Sequence, residues 1–313
     1  MISVIIPCFN AREFIRDAII SVTRQQVARP EVIVIDDGSN DGSFEVVERE
    51  FGWVRMVRTP NRGCSAARRL GTSMATGAFI QYLDADDLLA PGKLAAQMAA
   101  LGRTGADIAY GDWQKLIPVH DGAFEAGPVI RRNMQGPAEL GLFTDFWCPP
   151  AAYLFRREIV ETVNWNLGLP IIQDARFVLD CALAGARFVY TPGIAAQYRV
   201  HKSNSVSSRD ATAFVRDCLK NAIEVEQWWM EHGGVTPERR NALLQVYGYV
   251  GRASFEKDRP TFDTACSALE RLKPGYVPES PRHLAVLSRL AGYRRAESVA
   301  LAYRKAKRLM HAS

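Results

Sequence analysis

The sequence lacks two features that mark large classes of proteins, a CxxC pair of cysteines and a long apolar run. Without a CxxC pair, a zinc ribbon or a redox dithiol is disfavoured, and scattered cysteines are typical of buried thiols in a reducing compartment. The six cysteines are Cys8, Cys64, Cys148, Cys181, Cys218 and Cys266. No apolar run approaches the ~18 residues that a membrane-spanning helix requires, and Met1–Pro7 is predicted to be a strand rather than a signal peptide. We therefore expect a cytoplasmic protein that is soluble or peripheral to a membrane.

Two glycine-rich motifs for phosphate binding are also absent. No GxGxxG follows the first predicted strand, and no GxxxxGKS/T occurs in the chain. Their absence disfavours a dinucleotide-binding Rossmann site and a P-loop. If the protein binds phosphate groups, a metal ion and basic side chains must hold them instead.

The formal net charge of +5 is concentrated at the C-terminal end of the chain. From Arg282 onwards there are eight Lys or Arg residues and one acidic residue, so the preceding 281 residues carry a net charge of −2. This balance disfavours a nucleic-acid partner for most of the protein. The basic segment Leu284–Leu309 has the spacing of one amphipathic helix, which either docks on the body with a solvated basic face or contacts a membrane or a partner.

Apolar periodicity predicts alternating strands and helices in the first hundred residues. The predicted strands are Ser3–Ile6, Val32–Ile35, Trp53–Val57 and Phe79–Leu83. Further along, strands are predicted at Asp107–Gly111 and Phe188–Tyr190, with a hairpin over residues 117–128. This alternation indicates an α/β protein with a mostly parallel sheet covered by helices on both faces. Residues beyond about 209 have only helical patterns, so we expect domains at 1–208 and 209–313.

Polar clusters follow three of the predicted strands. Asn10 follows the first strand, Asp36–Asp37 the second and Asp84–Asp87 the fourth. The carboxyl ends of parallel strands meet at one edge of a sheet, where ligands bind. Three acids within four positions repel one another unless a cation joins them, and hard divalent ions prefer oxygen ligands. The sequence thus predicts a metal–phosphate site at this edge, with a helix cap for the segment after Ala90 as the alternative reading of the acids.

Two residues further along the chain also allow two interpretations. Asp174 precedes an apolar helical segment, so it is either an N-cap or a general base. His201 lies among polar neighbours and is either a surface residue or a metal ligand.

The ordered set of motifs resembles glycosyltransferase family 2 on the GT-A fold. The first motifs are Ser3–Ala11, Val34–Ser39 with Asp41–Ser43, Asn61–Gly63 with Ala66–Arg68, and Leu83–Asp87. Gln173-Asp174 with Phe177, and Tyr198-Arg199 with His201 and Ser205, are similar to later motifs of the same family. The resemblance covers about residues 1–205, and the helical remainder lies outside it.

The resemblance implies an inverting transferase that uses a nucleotide-sugar donor, most often a UDP-sugar, and Mn²⁺ or Mg²⁺. It implies that the metal site includes Asp86 and His201 and that Asp174 is the catalytic base. The nucleotide pocket that it implies contains Pro7, Phe9, Asn10, Glu13, Asp37, Arg68 and Asp84. Gln173 departs from the family, which often has Glu before this Asp. The acceptor implied by analogy is a glycan or a lipid-linked saccharide.

Three other functions remain possible on the sequence alone. A nucleotidyltransferase would also use a metal and acids, but it generally has a glycine-rich basic loop near the first strand, which Pro7–Asn10 is not. A phosphatase with Asp84 as nucleophile would usually carry that motif after the first strand rather than the fourth. A non-catalytic nucleotide-sugar-binding protein would not be expected to retain Asp37, Asp84, Asp86 and Asp174 together.

Overall fold

In the computed structural model, the chain divides into two compact units, Met1–Ser205 and Val206–Ser313. The structure describes residues 1–120, 122–201, 210–279 and 281–310, with side chains up to 303 in the last of these ranges. The domain boundary expected at 208 and 209 lies outside the described residues, as does Ser205 of the last motif. Within the described ranges, none of the helices combines the length and the apolar character needed to cross a bilayer.

The first unit is built around a nine-stranded sheet in the part of the chain that is described. Its strands are β1 (Ile2–Cys8), β2 (Glu31–Asp36), β3 (Arg55–Arg58), β4 (Phe79–Tyr82), β5 (Leu88–Leu89), β6 (Ile108–Pro118), β7 (Phe124–Ile130), β8 (Tyr153–Arg156) and β9 (Phe188–Arg199). Its helices are α1 (Ile15–Thr23), α2 (Ser43–Glu50), α3 (Cys64–Met74), α4 (Lys93–Thr104), α5 (Ala138–Thr144), α6 (Arg157–Glu161) and α7 (Gln173–Leu183). These elements confirm the predicted α/β class.

The strand order is β3-β2-β1-β4-β8-β6-β9-β5, with β7 paired to β6. The pairings among β1 to β4 are all parallel, as predicted for the first hundred residues. Beyond β4 the sheet is mixed, because β8 runs antiparallel to both β4 and β6, whereas β6 and β9 are parallel. In the register of the first pair, Cys8 lies opposite Asp36, so the loops after β1 and β2 leave the sheet side by side.

Several strand boundaries differ from the prediction. The third strand is Arg55–Arg58 rather than Trp53–Val57. The strands expected to end at Gly111 and Tyr190 continue to Pro118 and Arg199, because β6 and β9 pair with each other along almost their whole length. The predicted hairpin over residues 117–128 is confirmed by the antiparallel pairing of β6 and β7.

The described part of the second unit is helical, as predicted. Its helices are α8 (Ala211–Glu231), α9 (Pro237–Ser254), α10 (Arg259–Leu272), α11 (Arg282–Ala291) and α12 (Tyr293–Met310). The single amphipathic helix predicted over Leu284–Leu309 was wrong, since Gly292, at φ +78°, separates α11 from α12. Only glycine adopts this left-handed backbone without steric cost.

Gly71 allows α3 to lie close to the sheet beneath the strand ends. A Cβ at this position would overlap the Ile5 side chain and approach Ile35 Cγ1 to 3.4 Å. We expect Gly71→Ala to lower the free energy of unfolding by about 1–3 kcal/mol, because overpacking a fixed helix–strand contact forces atoms apart. Urea unfolding followed by far-UV circular dichroism measures the change.

Gly102 provides the matched control for this substitution. It lies inside α4, and nothing within 4 Å would meet a new Cβ. Alanine at this position is expected to raise the free energy of unfolding by about 0.5–1 kcal/mol, since alanine loses less backbone entropy in a helix than glycine. Equal effects of the two substitutions would contradict the packing argument.

Candidate active site

The loop that follows β1 is fixed by the serines that follow β2. The Asn10 N–H donates to Ser39 Oγ at 3.0 Å, and the Ala11 N–H donates to Ser43 Oγ at 2.9 Å. The Asn40 N–H donates in turn to Asn10 Oδ1 at 2.9 Å. Asn10 has φ +50°, a left-handed conformation that Asn tolerates better than most residues. These contacts hold the two loops together as one rim above the sheet.

Asp37 is buried and fixes a third loop at the same rim. Its N–H donates to the Cys8 carbonyl at 2.8 Å. One carboxylate oxygen accepts from the Arg62 N–H at 2.8 Å, and the other accepts from the Gly63 N–H at 2.8 Å. Asp37 therefore positions the loop that leads into α3. The nucleotide contact expected for this residue stays a prediction.

The other residues expected in the nucleotide pocket surround these loops at different depths. Pro7 is buried in β1, opposite Ile35 of β2. Phe9 follows the strand, and its side chain is 51% exposed. Glu13 is exposed in the turn that precedes α1. Of these three residues, only Phe9 presents a large apolar surface to solvent, as a ring that stacks on a nucleobase would.

Arg68 and Asp84 form an ion pair behind the rim, in which Arg68 is buried and the Asp84 side chain is 28% exposed. Arg68 is 2% exposed, and its Nη2 group donates to Asp84 Oδ1. Its guanidinium lies 4.7 Å above the ring of Trp165. Burial lowers the pKa of Arg68, but Asp84 raises it, and the net shift is upwards, so the cation is retained. Among the described residues, its buried Nε and Nη1 groups have no hydrogen-bond partner.

Cys64, to which the sequence assigned no role, indicates how close the candidate residues lie. It is the first residue of α3. Burial raises the pKa of its thiol to about 12, Arg68 opposes this shift, and Asp84, Asp174 and Asp37 add to it. Groups that share such an effect on one thiol lie within a short distance of it. The structure thus brings together residues separated by up to 137 positions in the chain.

Asp86 and His201 form a second polar pair at the rim. His201 Nε2 lies 2.9 Å from Asp86 Oδ2. The two side chains are 22% and 40% exposed for His201 and Asp86, respectively. The imidazole is held from behind by Phe14 and Phe124, whose ring centroids lie 5.2 and 6.2 Å from its own. The pair therefore presents one oxygen and one nitrogen donor on a partly open surface.

Asp87 is not a helix cap, contrary to the alternative reading of the acids. The N-cap of α4 is Gly92, and the side chain that accepts from the first turn is Gln25, whose Oε1 lies 3.1 Å from the Leu94 N–H. Instead, Asp87 Oδ1 accepts from the Arg199 N–H at 3.0 Å, and Arg199 Nη1 donates to the Asp86 carbonyl at 2.9 Å. Burial raises the pKa of Asp87 well above its ordinary value, and Asp86 and Asp84 add to this shift. These contacts fix β9 against the acids and place His201, two residues further on, beside Asp86.

The sequence suggested that one cation joins the three acids. In the structure, each acid has a different partner. Asp84 pairs with Arg68 and Asp87 with the Arg199 backbone, which leaves Asp86 with His201. Within the described residues there is no group of three or more His, Cys, Asp or Glu side chains that could hold a metal ion. A carboxylate and an imidazole nevertheless fit Mn²⁺ or Mg²⁺, because these ions take few protein ligands when phosphate oxygens and water complete the shell.

Asp174 lies in the first turn of α7, but it is not the N-cap. The N-cap is Ile172, which makes no side-chain cap hydrogen bond. Asp174 Oδ2 accepts from the indole N–H of Trp147 at 2.8 Å. The neighbouring Gln173 accepts from Ser65 Oγ at 2.6 Å, which connects α7 to the start of α3. The amide that departs from the family pattern therefore has a structural partner.

An aromatic cluster borders the acids, and the sequence motifs did not predict it. Trp113, Trp147 and Tyr198 meet edge to face, with ring centroids 5.5–5.8 Å apart. Burial raises the pKa of the Tyr198 hydroxyl, and the acids at 87, 86, 84 and 174 raise it further. Tyr198 contacts Trp147, the partner of Asp174, and precedes Arg199, whose N–H donates to Asp87. Tyr198 lies in one of the recognised motifs, but nothing in the local pattern identifies either tryptophan.

Comparison with known proteins gives one family match and several similar proteins. Residues 3–163 match the model of the family described as Glycosyl transferase family 2. An uncharacterized glycosyltransferase of Nostoc sp., alr2836, is 29% identical over 275 residues, which cover 82% of this chain and 80% of that protein. WfgD of Escherichia coli, a UDP-Glc:alpha-D-GlcNAc-diphosphoundecaprenol beta-1,3-glucosyltransferase, is 31% identical over 36% of this chain and 46% of its own length. The matches to the first three curated relatives cover 41%, 54% and 34% of the length of those proteins.

Two solved structures share the fold. S. aureus TarS 1-349 in complex with UDP-GlcNAc has a TM-score of 0.59 at 17% identity, over 97% of this chain and 92% of that one. The mannosyltransferase PcManGT from Pyrobaculum calidifontis in complex with GDP-Man and Mn²⁺ has a TM-score of 0.57 at 18% identity, over 97% and 87%. Likeness at this level of identity concerns the fold alone.

Proposed function

The chain belongs to glycosyl transferase family 2 and has the GT-A fold, and we propose that it is an inverting, metal-assisted transferase of a sugar from a nucleotide donor to a saccharide acceptor. The observation that carries this proposal is the convergence of three polar groups at one place. These are Asp86 with His201, Arg68 with Asp84, and Asp174 with Trp147. Contacts link them: Trp147 packs on Tyr198, the N–H of the next residue, Arg199, donates to Asp87, and Ser65 near Arg68 donates to Gln173 beside Asp174. Each group suits one part of a transfer reaction.

For the donor, we favour a UDP-sugar. The exposed Phe9 ring suits stacking on a planar nucleobase. Asp84, held by Arg68, would face the ribose, and Asn10 and Asp37 hold the loops that would enclose the nucleoside. Relatives with this fold have been crystallised with UDP-GlcNAc and with GDP-Man, so the nucleotide needs a direct test.

Asp174 is the residue proposed to act as the general base. In an inverting transfer, the acceptor hydroxyl attacks the anomeric carbon, the bond to the nucleoside diphosphate breaks, and a carboxylate takes the hydroxyl proton. The Trp147 N–H holds Asp174 Oδ2, and we propose that Oδ1 takes the proton. No covalent intermediate is required, because one displacement inverts the anomeric centre.

Asp86 and His201 are the residues that would hold a divalent cation. Such a cation would offset the negative charge that develops on the leaving diphosphate. The cationic Arg68, paired with Asp84 two residues before Asp86, would add to the positive potential around the leaving group. Phe14 and Phe124 keep the His201 ring in place, so this pair is preorganised.

The acceptor is proposed to be a glycan or a lipid-linked saccharide. WfgD, named for a diphosphoundecaprenol-linked acceptor, supports the second class. The rings of Trp147 and Tyr198 beside Asp174 provide the apolar surface with adjacent polar groups that saccharide sites require. A lipid-linked acceptor would place the enzyme in the cytoplasm at the inner face of a membrane.

A donor screen tests the proposal. Thermal shift with UDP-, GDP- and dTDP-sugars, each with Mn²⁺ and with EDTA, is expected to give the largest stabilisation for a UDP-sugar with Mn²⁺. Product formation from that donor is then measured with saccharide acceptors, and proton NMR of the new linkage reports inversion. The proposal would be contradicted if the anomeric configuration were retained, or if none of the nucleotide sugars stabilised the protein.

Trp147 gives a separate prediction, because it holds the proposed base through a single hydrogen bond. Trp147→Phe keeps an aromatic ring but removes the indole N–H that donates to Asp174. Since a hydrogen bond to a charged group contributes about 1.5–3 kcal/mol, we expect kcat to fall about 10- to 100-fold. The KM for the donor should change little, and steady-state kinetics with varied donor and acceptor measures both.

Trp113 is the matched control for this prediction. It belongs to the same aromatic cluster, but its buried indole N–H has no hydrogen-bond partner within the described residues. Trp113→Phe is therefore expected to leave kcat within about twofold of the original value. Equal losses in the two variants would indicate that Trp147 acts through packing and not by positioning Asp174.

A further inference from the structure

The last two helices expose an unusual amount of apolar surface. On α11, the side chains of Val286 and Leu290 are 51% and 80% exposed. On α12, Val299 and Tyr303 are 52% and 59% exposed. Leu290 has the highest exposure among the large hydrophobic residues that are exposed. We call these four residues the apolar strip.

The four residues form one surface because the two helices fold back on each other. Val286 and Leu290 are four residues apart, as are Val299 and Tyr303, so each pair lies on one helix face. The ring of His283 lies 5.9 Å from that of Tyr303. His283 shares its side of α11 with Leu290, seven residues later, so this contact joins the two exposed faces.

The strip lies outside the buried contacts that these helices make within their own unit. The buried residues of α11 are Leu284, Ala285 and Ser288, and those of α12 include Tyr293, Ala296 and Ala300. On α11 these residues lie opposite Val286 and Leu290, whereas on α12 Ala296 and Ala300 lie beside Val299 and Tyr303, which stand at the exposed edge of the packed face. Burial in the second unit therefore leaves the apolar strip uncovered, and a monomeric soluble protein has little reason to maintain such a patch.

Basic residues border the strip in the same arrangement on both helices. Arg282 precedes Val286 by four residues, and Arg295 precedes Val299 by four, so each arginine lies one turn before the strip on its own helix. Both arginines are exposed. The single acidic residue after Arg282 is Glu297, whose exposure is 0%. The exposed charges that these two helices contribute are therefore basic, although one of them, Arg294, pairs with Asp263 of α10.

We propose that this surface binds the face of an anionic lipid bilayer. Apolar side chains flanked by arginines are what a helix needs to lie in the interfacial region, with its apolar face in the acyl boundary and its charges at the headgroups. A second copy of the chain fits less well. A symmetric dimer would bring the same cationic patch of two molecules together, which is repulsive.

Sedimentation of the full chain with vesicles tests this proposal. We expect binding to vesicles of phosphatidylcholine with phosphatidylglycerol, and at least tenfold weaker binding to phosphatidylcholine alone. High salt should weaken binding further, since the screening length shortens from about 10 Å at 0.1 M to about 3 Å at 1 M. Equal binding to both vesicle types, or to neither, would overturn the proposal.

Two sets of variants test the surface itself. Leu290→Asp is expected to weaken vesicle binding at least tenfold, because it removes an apolar side chain that the bilayer would bury and adds a charge that anionic lipids repel. Leu167→Asp is its control, since Leu167 is also exposed, at 52%, but belongs to the first unit. The double variant Arg282→Ser with Arg295→Ser should bind vesicles more weakly, by about fivefold for each arginine removed. The exposed pair Arg49→Ser with Arg240→Ser changes the net charge equally and should have little effect.

These measurements do not involve sugar transfer, so the lipid proposal can fail while the proposed function stands, and the reverse. Sedimentation velocity without vesicles adds one more outcome. If Leu290→Asp turns a dimer into a monomer and leaves vesicle binding unchanged, the strip is a protein interface and the lipid proposal is wrong.

Discussion

Asp174→Asn is expected to abolish sugar transfer and to leave donor binding intact. An amide cannot take a proton from the acceptor hydroxyl, and general-base catalysis typically contributes about 10²- to 10⁴-fold in rate. The fold should survive, because the Asn side-chain oxygen can still accept from the Trp147 indole N–H at the position where Asp174 Oδ2 accepts it now. Losing a carboxylate from the first turn of α7 should cost only about 0.3–1 kcal/mol of stability.

Three measurements test this prediction separately for donor binding, folding and transfer. Calorimetry with UDP reports donor binding, thermal unfolding reports the fold, and a coupled assay for released UDP reports transfer. Asp180→Asn is the control, since it makes the same chemical change on the same helix at a residue that pairs with Arg176. We expect this control to keep transfer within about threefold. Full activity of Asp174→Asn would show that another group is the base.

Asp86→Ala should remove the dependence of nucleotide binding on metal. In the unaltered protein, we expect Mn²⁺ to strengthen UDP binding by on the order of tenfold or more, because the cation offsets charge repulsion between the diphosphate and the acids. Without the Asp86 carboxylate, His201 is the remaining member of the pair. UDP affinity should then be weak and nearly the same with Mn²⁺ and with EDTA, as measured by isothermal calorimetry.

Asp263 is a suitable control for Asp86, because the exposed fractions of their side chains are similar, at 45% and 40%. It belongs to α10 in the second unit, so Asp263→Ala should leave the effect of Mn²⁺ on UDP binding unchanged. His201→Ala should weaken that effect in the same direction as Asp86→Ala. If UDP affinity responds to Mn²⁺ equally in all four proteins, neither Asp86 nor His201 holds a metal.

Local patterns were sufficient to predict the first half of the fold. The strands beginning near Ser3, Val32 and Phe79 are short apolar runs whose signal lies within a few residues. Errors arose where long-range pairing extends an element, as in β6 and β9, which support each other far beyond their apolar cores. The break at Gly292 was missed because apolar spacing on either side of one glycine can still match a single helix.

The candidate site was predictable as a set of residues but not as a set of contacts. The motifs indicated Asp37, Asp84, Asp86 and Asp174, since each follows a recognisable strand or begins a helix. They did not indicate Trp147, which lies in a segment with no regular element, or Cys64, whose significance is its position among four charged residues. Whether the motif residues play the roles that the family resemblance implies is what the substitutions above decide.

The sequence by itself determined the α/β class, the order of the first strands and the presence of acids at their carboxyl ends, because hydrophobic periodicity and chain direction are local properties. Tertiary structure alone decided which partner each of the three neighbouring acids has. Asp84 pairs with Arg68 from α3, Asp87 with the backbone 112 positions away, and Asp86 with a histidine 115 positions away. Carboxylates so close in sequence repel one another, and the local sequence does not show which partner each will have. Only the folded chain brings a different neighbour to each one.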